Sequence, residues 1–566
     1  MQQILGKIWA IVWVVFLIFQ GSMKGFAEPP TYSDDIQRYR DFLKSVNQEL
    51  EKIKEAGFCP GVKLAITCGN GICETDQGEN ENSCPADCAN IPLKSYNLQT
   101  LCKDVKGIYS PKTIEEAQSL IRKASDEGWN IRVIGRAHTA NTQLCTNGVI
   151  ISTENLNHIL GIERYEGSDT VWVEPGVTLG ELAEWLDKRG LSLGYATTQF
   201  AGTTIAGAVA TASHGSSGRH SALVSSLVKS LKVIGPSGEI SEYSEKNSGS
   251  EAFKALRANL GNLGMVVGLK LGIIKQFNLH MHLEYGNEAD LFKKSPGLAK
   301  ECDYYQIHWF PHHGSYASVC GRETTQSADE GAANVLLNPA IPEFVVKPFK
   351  GVLHYGACYS KLNCLLEDLR YATLKVLPPL QKIENGKAVN VKDVIGPSHR
   401  MITSVLSPYQ KGMSIRNWEI AVPYSKLHLA LKRIQEELAK GPSCMPLTGI
   451  SVRFVKSEDT TLIGHTVAQG AFEMGEPVAL IESIAYFPMG FPPEQVEAYL
   501  QPYRDTIKIL LKEFAGRAHW GKNEEWIFDL QKETKTYGPL LEQFKEVMKN
   551  LDRKGIFLNM FGRSML

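Results

Sequence analysis

The chain has 566 residues, of which 43% are hydrophobic and 21% charged, enough for more than one domain with a sizeable core. Its 60 basic residues are balanced by 61 acidic ones, so no charge excess points to nucleic acid or to an anionic membrane surface.

At the N-terminus Lys7 precedes an apolar run from Ile8 to Phe19, followed by small and polar residues ending Gly25-Phe26-Ala27-Glu28. The run is too short to span a bilayer, and Gly25-x-Ala27 suits a small-residue cleavage site. Residues 1–27 therefore read as a secretory signal cut after Ala27, with an uncleaved membrane anchor as the alternative. No later stretch is long and apolar enough to span, so no stable membrane span is expected after cleavage. An amphipathic helix is predicted from Asp35 to Ala56.

Of the 12 cysteines, Cys59, Cys68, Cys73, Cys84, Cys88 and Cys102 cluster together, and the core of the group, CGNGICETDQGENENSCPADC (68–88), has almost no apolar residues. Such a segment builds no core and must be stapled covalently, so three disulfides are expected among these six, with open connectivity. Glu74, Asp76, Glu79 and Asp87 offer oxygen ligands, but their spacing is not that of an EF-hand. A solvated, stapled loop is preferred there and no metal is expected. Residues 28–90 form this N-terminal helix and Cys-rich module.

From about Ile91 the texture is α/β. Thr113-x-x-Glu116 is a capping box opening a helix with Ile114, Ala117, Ile121 and Ala124 on one face. The stretch Ile131–Ile151 then runs strand, tight loop, strand, and its loop Arg136-Ala137-His138-Thr139-Ala140-Asn141 follows Gly135. Small residues there let backbone N–H groups converge on an anion, which makes a phosphate cradle. Taken alone, the segment reads more readily as a surface turn with a solvated histidine than as a binding loop. A strand from Thr170 to Val173, a second capping box at Thr178-x-x-Glu181 and a helix ending at Gly190 follow.

The segment Ala201–Ser217, AGTTIAGAVATASHGSS, looks too poor in large apolar side chains for a packed helix or strand. It suits backbone lying against a flat, polar ligand. Strands are predicted over Leu227–Ile234 and Val266–Ile274, with a helix from Glu251 to Leu260 between them. The texture changes beyond Lys275. Residues 91–277 are read as one domain, 278–500 as a second and 501–566 as a helical tail, with helices over Tyr503–Phe514 and Leu540–Leu551.

No G-x-G-x-x-G follows a strand, so a Rossmann site has no support. The order of segments IGRAHT (134–139), the 202–216 stretch around ATASHGS, LGNLGMV (260–266), GRAHWGK (516–522) and LDRKGIFLN (551–559) resembles the flavoprotein oxidases of the vanillyl-alcohol-oxidase type. Within that superfamily it is most similar to the aldonolactone oxidases, the gulonolactone and arabinonolactone oxidase group. The resemblance implies an α+β fold: a two-subdomain PCMH-type FAD-binding domain and an α+β substrate cap domain, here preceded by the small disulfide-rich module. The tail would return to the FAD domain.

The resemblance implies FAD, bound covalently through His138. Gly135, Arg136, Ala137, Thr139, Asn141, Gly202, Thr203, Gly207, Ala212, His214, Gly215, Gly264 and Val267 would contact it. Arg136-Ala137 stand where the family usually has G-x-G. The small-residue segment lacks the cysteine that makes a second flavin link in some relatives, so Cys145 reads as structural. On the substrate side the family's Glu-x-Arg becomes Ser451-x-Arg453. Arg453 is the candidate to stabilise developing negative charge, and Glu482 is a guess for the missing carboxylate. Lys522 matches the lysine near flavin N1, and His519 would position its segment. The implied activity is oxidation of a sugar-1,4-lactone or related polyol, with hydride transfer to the flavin and O2 as acceptor. A dehydrogenase acting on an alditol, cytokinin or sterol, or a binding protein on a degenerate scaffold, is the alternative.

Overall fold

The computed structural model describes Cys73, Asn80, Glu81 and residues 84–565, apart from 197–200, 248–249, 335–363, 365–366, 369, 373, 376–377, 403–412, 442–443, 445–448 and 489–492. The signal, the predicted helix Asp35–Ala56, Cys59, Cys68, Glu74, Asp76 and Glu79 lie outside the described residues.

Three sheets position the site. The first is small and parallel, with the strand Val149–Ser152 between Gly107–Tyr109 and Ile131–Ile134. The helix Ile114–Asp126 buries Ala117, Ile121 and Ala124, as its period requires. Its capping box is half made, since Glu116 N–H donates to Thr113 Oγ1 while the Glu116 carboxylate reaches Lys112 N–H at 2.7 Å instead. The Thr178–Glu181 box is complete and opens the helix Leu179–Asp187.

The second sheet is antiparallel, in the order Ile240–Ser244, Val228–Ile234, Met265–Gly272, Ser168–Val173, Ile159–Tyr165. Against it packs a helix that the composition argued against, Ile205–Ala210, which buries Ile205, Ala208 and Val209. Its small residues do not prevent packing; they let it sit close to the sheet.

The third sheet carries the cap. Its eight strands run antiparallel in the order Asp393–Pro397, Asn278–Asn287, Ser315–Thr324, Tyr304–Phe310, Ile450–Lys456, Pro477–Pro488, Met413–Pro423 and Arg517–Ala518. The tail helices are Pro493–Glu513, Glu525–Thr534 and Leu540–Leu551. Beyond them the chain returns to the first sheet, where Ile131 N–H donates to Ile556 O at 2.6 Å. The Asp552 carboxylate fixes that turn by accepting from Ile556 and Phe557 N–H. No helix among the described residues is long and apolar enough to cross a membrane.

The cysteine expectation needs correction. Cys73 pairs with Cys88 inside the module and Cys84 is also bridged, but Cys102 pairs with Cys145, 43 residues away in the cradle loop. The other five cysteines alone cannot make three bridges. Cys102 leaves the module because the short strand Leu101–Cys102 has already joined the packed body, where Cys102 is buried beside Leu144 and Ile150. Cys302–Cys320 and Cys364–Cys444 staple the cap. Replacing Cys102 and Cys145 together by serine is expected to lower stability by about 2–5 kcal/mol in equilibrium denaturation. An unchanged midpoint would contradict this role.

Candidate active site

Residues from the three sheets line one open cleft. One wall is the predicted cradle. A Cβ at Gly135 would stand 2.1 Å from Thr204 Oγ1, so only glycine fits where the loop crosses the small-residue segment. Ala137 has φ 51°, a left-handed turn that presents the next residue, His138, to the cleft. The His138 ring lies 5.3 Å from that of Tyr96. Burial, with the charge of Arg136 adding to it, pushes the imidazole down to about 4. At neutral pH His138 is therefore an uncharged nitrogen base.

Gly135, Arg136, Ala137, His138, Thr139, Thr203, Gly207, His214, Gly264, Arg453, His519 and Lys522 all line this cleft. Five proposed cofactor contacts fall outside its wall. Val267 is buried in the core with Ile131 and Ile234, and its neighbour Val266 lines the cleft, because successive strand residues face opposite ways. The Asn141 side chain is buried and donates to Trp520 O and Lys522 O, both at 2.9 Å, tying the loop to the tail. Ala212 is core, Gly215 N–H bonds Ala222 O, and a Cβ at Gly202 would come 3.8 Å from His138 Cε1.

The cap sheet and the tail bring a cluster of charges to the same cleft. Arg453 is 3% exposed and donates through Nη2 to Glu419 Oε2 at 2.5 Å and to Glu482 Oε2 at 3.2 Å. Lys522 Nζ donates to the same two carboxylates, at 3.0 Å to Glu419. Burial alone would raise both acids, but Lys522 and Arg453 hold them down, Glu419 well below the usual carboxylate range. Register explains the role of Glu482: on the adjacent strand it stands directly opposite Ser451. It lies behind Arg453 and Lys522, outside the cleft wall.

Asn523 fixes Lys522 to the sheet. Its side chain donates to Glu419 O and His519 O and accepts from Glu419 N–H. Trp520 anchors the same segment, bonding Ile463 O and stacking on Phe528 at 5.1 Å. Behind it His214, His465 and His519 are all buried with Glu419. Glu419 and His465 were missed from sequence. A lone acid in the apolar strand NWEIAVP was a signal for the first, whereas His465 sits in a loop with no pattern to mark it.

The cleft fits a dinucleotide cofactor. Arg132 is buried in its wall, pushed down to about 10 by burial, and pairs with no carboxylate among the described residues. Its Nη1 donates to Leu260 O at 2.6 Å, while its Nε and the cleft-lining Thr153 Oγ1 have no protein partner. A buried cation without a counter-charge, beside an anion cradle, matches a pyrophosphate.

Known families agree. The model for the FAD binding domain matches residues 105–244, and that for D-arabinono-1,4-lactone oxidase matches residues 269–565. The chain belongs to the D-arabinono-1,4-lactone oxidase family. It is thus an FAD-dependent oxidoreductase acting on CH–OH donors. Family relatives include L-gulonolactone oxidase of Bos taurus, 24% identical over 80% of this chain and 93% of that protein. L-gulono-1,4-lactone dehydrogenase of Mycobacterium tuberculosis is 25% identical over 81% and 95%. A putative D-arabinono-1,4-lactone oxidase of Neurospora crassa is 28% identical over 81% and 82%. A solvent-stable cholesterol oxidase superposes with a TM-score of 0.66 at 15% identity, covering 84% of this chain and 98% of that one. That likeness shows the PCMH-type fold.

Proposed function

We propose that this family member is an exported oxidase of a sugar-1,4-lactone or a related polyol, using dioxygen as acceptor and releasing hydrogen peroxide. The observation that carries this reading is the Arg453–Lys522 pair, held by Glu419 and Glu482 in the cleft that His138 also lines. When bound, FAD supplies a hydride acceptor at N5. Arg453 and Lys522 hold positive charge where the substrate oxygen loses its proton, and their carboxylate partners fix both side chains before substrate arrives. Tyr96, His214 and His519 line the same cleft.

Glu482 supplies, from the neighbouring strand, the carboxylate that relatives carry at the position of Ser451. Glu482→Gln is expected to lower kcat by about tenfold to a hundredfold, since a charge-assisted partner of both cations becomes neutral. Steady-state kinetics that match the wild type would contradict that assignment.

Covalent attachment of FAD through His138 is part of the reading, supported by its neutral, buried imidazole. Export is supported by the apolar run Ile8–Phe19 and by the disulfides. The second reading, a dehydrogenase passing electrons to another carrier, is favoured by the mycobacterial relative. A panel of aldonolactones assayed for peroxide release and for dye reduction separates the two. Peroxide formed in step with lactone consumed supports the oxidase; dye reduction without peroxide overturns it.

A further inference from the structure

His214, His465, His519 and Glu419 place their ligand atoms within 4.8 Å of one another, which invites a metal reading. Two contacts argue against it. His519 Nδ1 accepts the Gly521 N–H at 3.0 Å, so the proton of its neutral ring is on Nε2, which then has no lone pair for a metal. The other oxygen of Glu419 already takes two cations, Arg453 and Lys522.

His214 is different. Its Nδ1 stands 2.9 Å from Gly215 O, and its Nε2 stands 2.9 Å from Glu419 Oε1. Both distances are too short for C–H···O contacts, so both ring positions are nitrogens. A carbonyl oxygen only accepts, and Glu419, bound by Arg453 and Lys522, is held well below the usual carboxylate range and only accepts too. A neutral ring would donate to one and turn a lone pair on the other, in a site where His214 is 3% exposed.

We infer that His214 is a fixed imidazolium, clamped between Gly215 O and Glu419, and is the third cation of the active site. It is a positioning residue that orients Glu419 and, through it, Arg453 and Lys522. The charged groups facing it are Glu419 from the cap sheet, Arg453 from the strand two away in that sheet and Lys522 from the tail. His465 and His519, packed against its ring, stay neutral because burial pushes His465 down to about 3 and His519 well below its ordinary value. Burial first, and with it the charges of Arg453 and Lys522, lower the ring's proton affinity in spite of Glu419; what holds the proton is the pair of acceptors, one 2.9 Å from each ring nitrogen. Three cations then face two carboxylates, and the buried cluster is positive by one charge. Such a cluster complements an anion formed in the cleft during turnover, which ties the inference to the function proposed above.

The protonation is tested on the holoenzyme labelled with ¹⁵N-histidine. The expected spectrum has one ring with both nitrogens protonated from about pH 6 to pH 9, across the range where an ordinary histidine loses its charge. That signal should vanish in His214→Gln, which keeps a donor but no charge. A spectrum with no such ring overturns the inference, and the wild type alone decides this if the variant does not fold. Sulfite, which forms an anionic adduct with flavin, tests the consequence without turnover. Its affinity should fall by about tenfold or more in His214→Gln; unchanged affinity overturns the electrostatic role. Failure to oxidise lactones would overturn the proposed function and leave the imidazolium standing.

Discussion

Arg453→Lys is expected to lower turnover by about 10²–10³ while the protein stays folded and yellow. One guanidinium nitrogen of Arg453, Nη2, reaches both Glu419 and Glu482, at 2.5 and 3.2 Å, which leaves the rest of the group to the cleft. Lysine keeps the charge, so neither carboxylate is left without a cation. An ammonium can bond both acids, as Lys522 does, but it does not reproduce the remaining planar N–H donors of the guanidinium on the cleft wall. The loss should therefore appear in kcat, as for removal of one positioned donor in a dry site. Arg453→Ala tests something else: it strands two buried carboxylates beside Lys522 and is expected to cost about 3–5 kcal/mol of stability. Rapid-kinetic flavin reduction and thermal melts of the two variants separate the effects. Wild-type reduction rates in Arg453→Lys would remove Arg453 from the chemistry.

The second large effect is at His138. His138→Ala is expected to abolish flavin retained on the polypeptide after acid denaturation, with the folded variant still able to take up FAD reversibly. The reasoning is local. The left-handed turn at Ala137 presents the ring to the cleft, burial keeps it uncharged at about 4, and its neighbours Gly135 and Thr204 fix the loop. A neutral nitrogen can act as nucleophile where a protonated one cannot. Flavin fluorescence on the denatured wild-type band and none on the variant is the predicted result. A wild type that sheds all its flavin on denaturation would contradict it.

The residues that face the cleft from the cradle and the tail were legible in the sequence, because each lies in a short contiguous segment. IGRAHT supplies Gly135 to Thr139, and GRAHWGK supplies His519 and Lys522. Glu419 was not legible, since its role depends on an eight-stranded sheet that brings residues 304–324, 413–423, 450–456 and 477–488 together. Strand pairing over such distances leaves no local pattern. The same holds for Glu482, whose position opposite Ser451 exists only in the register of two strands. Val267 was named where Val266 lines the cleft, and on a strand one residue changes the face. Cys102 was grouped with its sequence neighbours, whereas its partner Cys145 becomes a neighbour only after the cradle folds back.

The cleft lined by His138, Arg453 and Lys522 is proposed to oxidise a CH–OH group of a sugar lactone and pass the electrons to dioxygen. The direct measurement is an anaerobic titration of the purified yellow protein with an aldonolactone, followed by admission of air. The account predicts that the flavin's visible absorption bleaches with one equivalent of lactone per flavin, returns when oxygen enters, and yields one equivalent of hydrogen peroxide. Flavin that stays oxidised with every lactone and polyol tried, or that bleaches but does not recover in air, would contradict it.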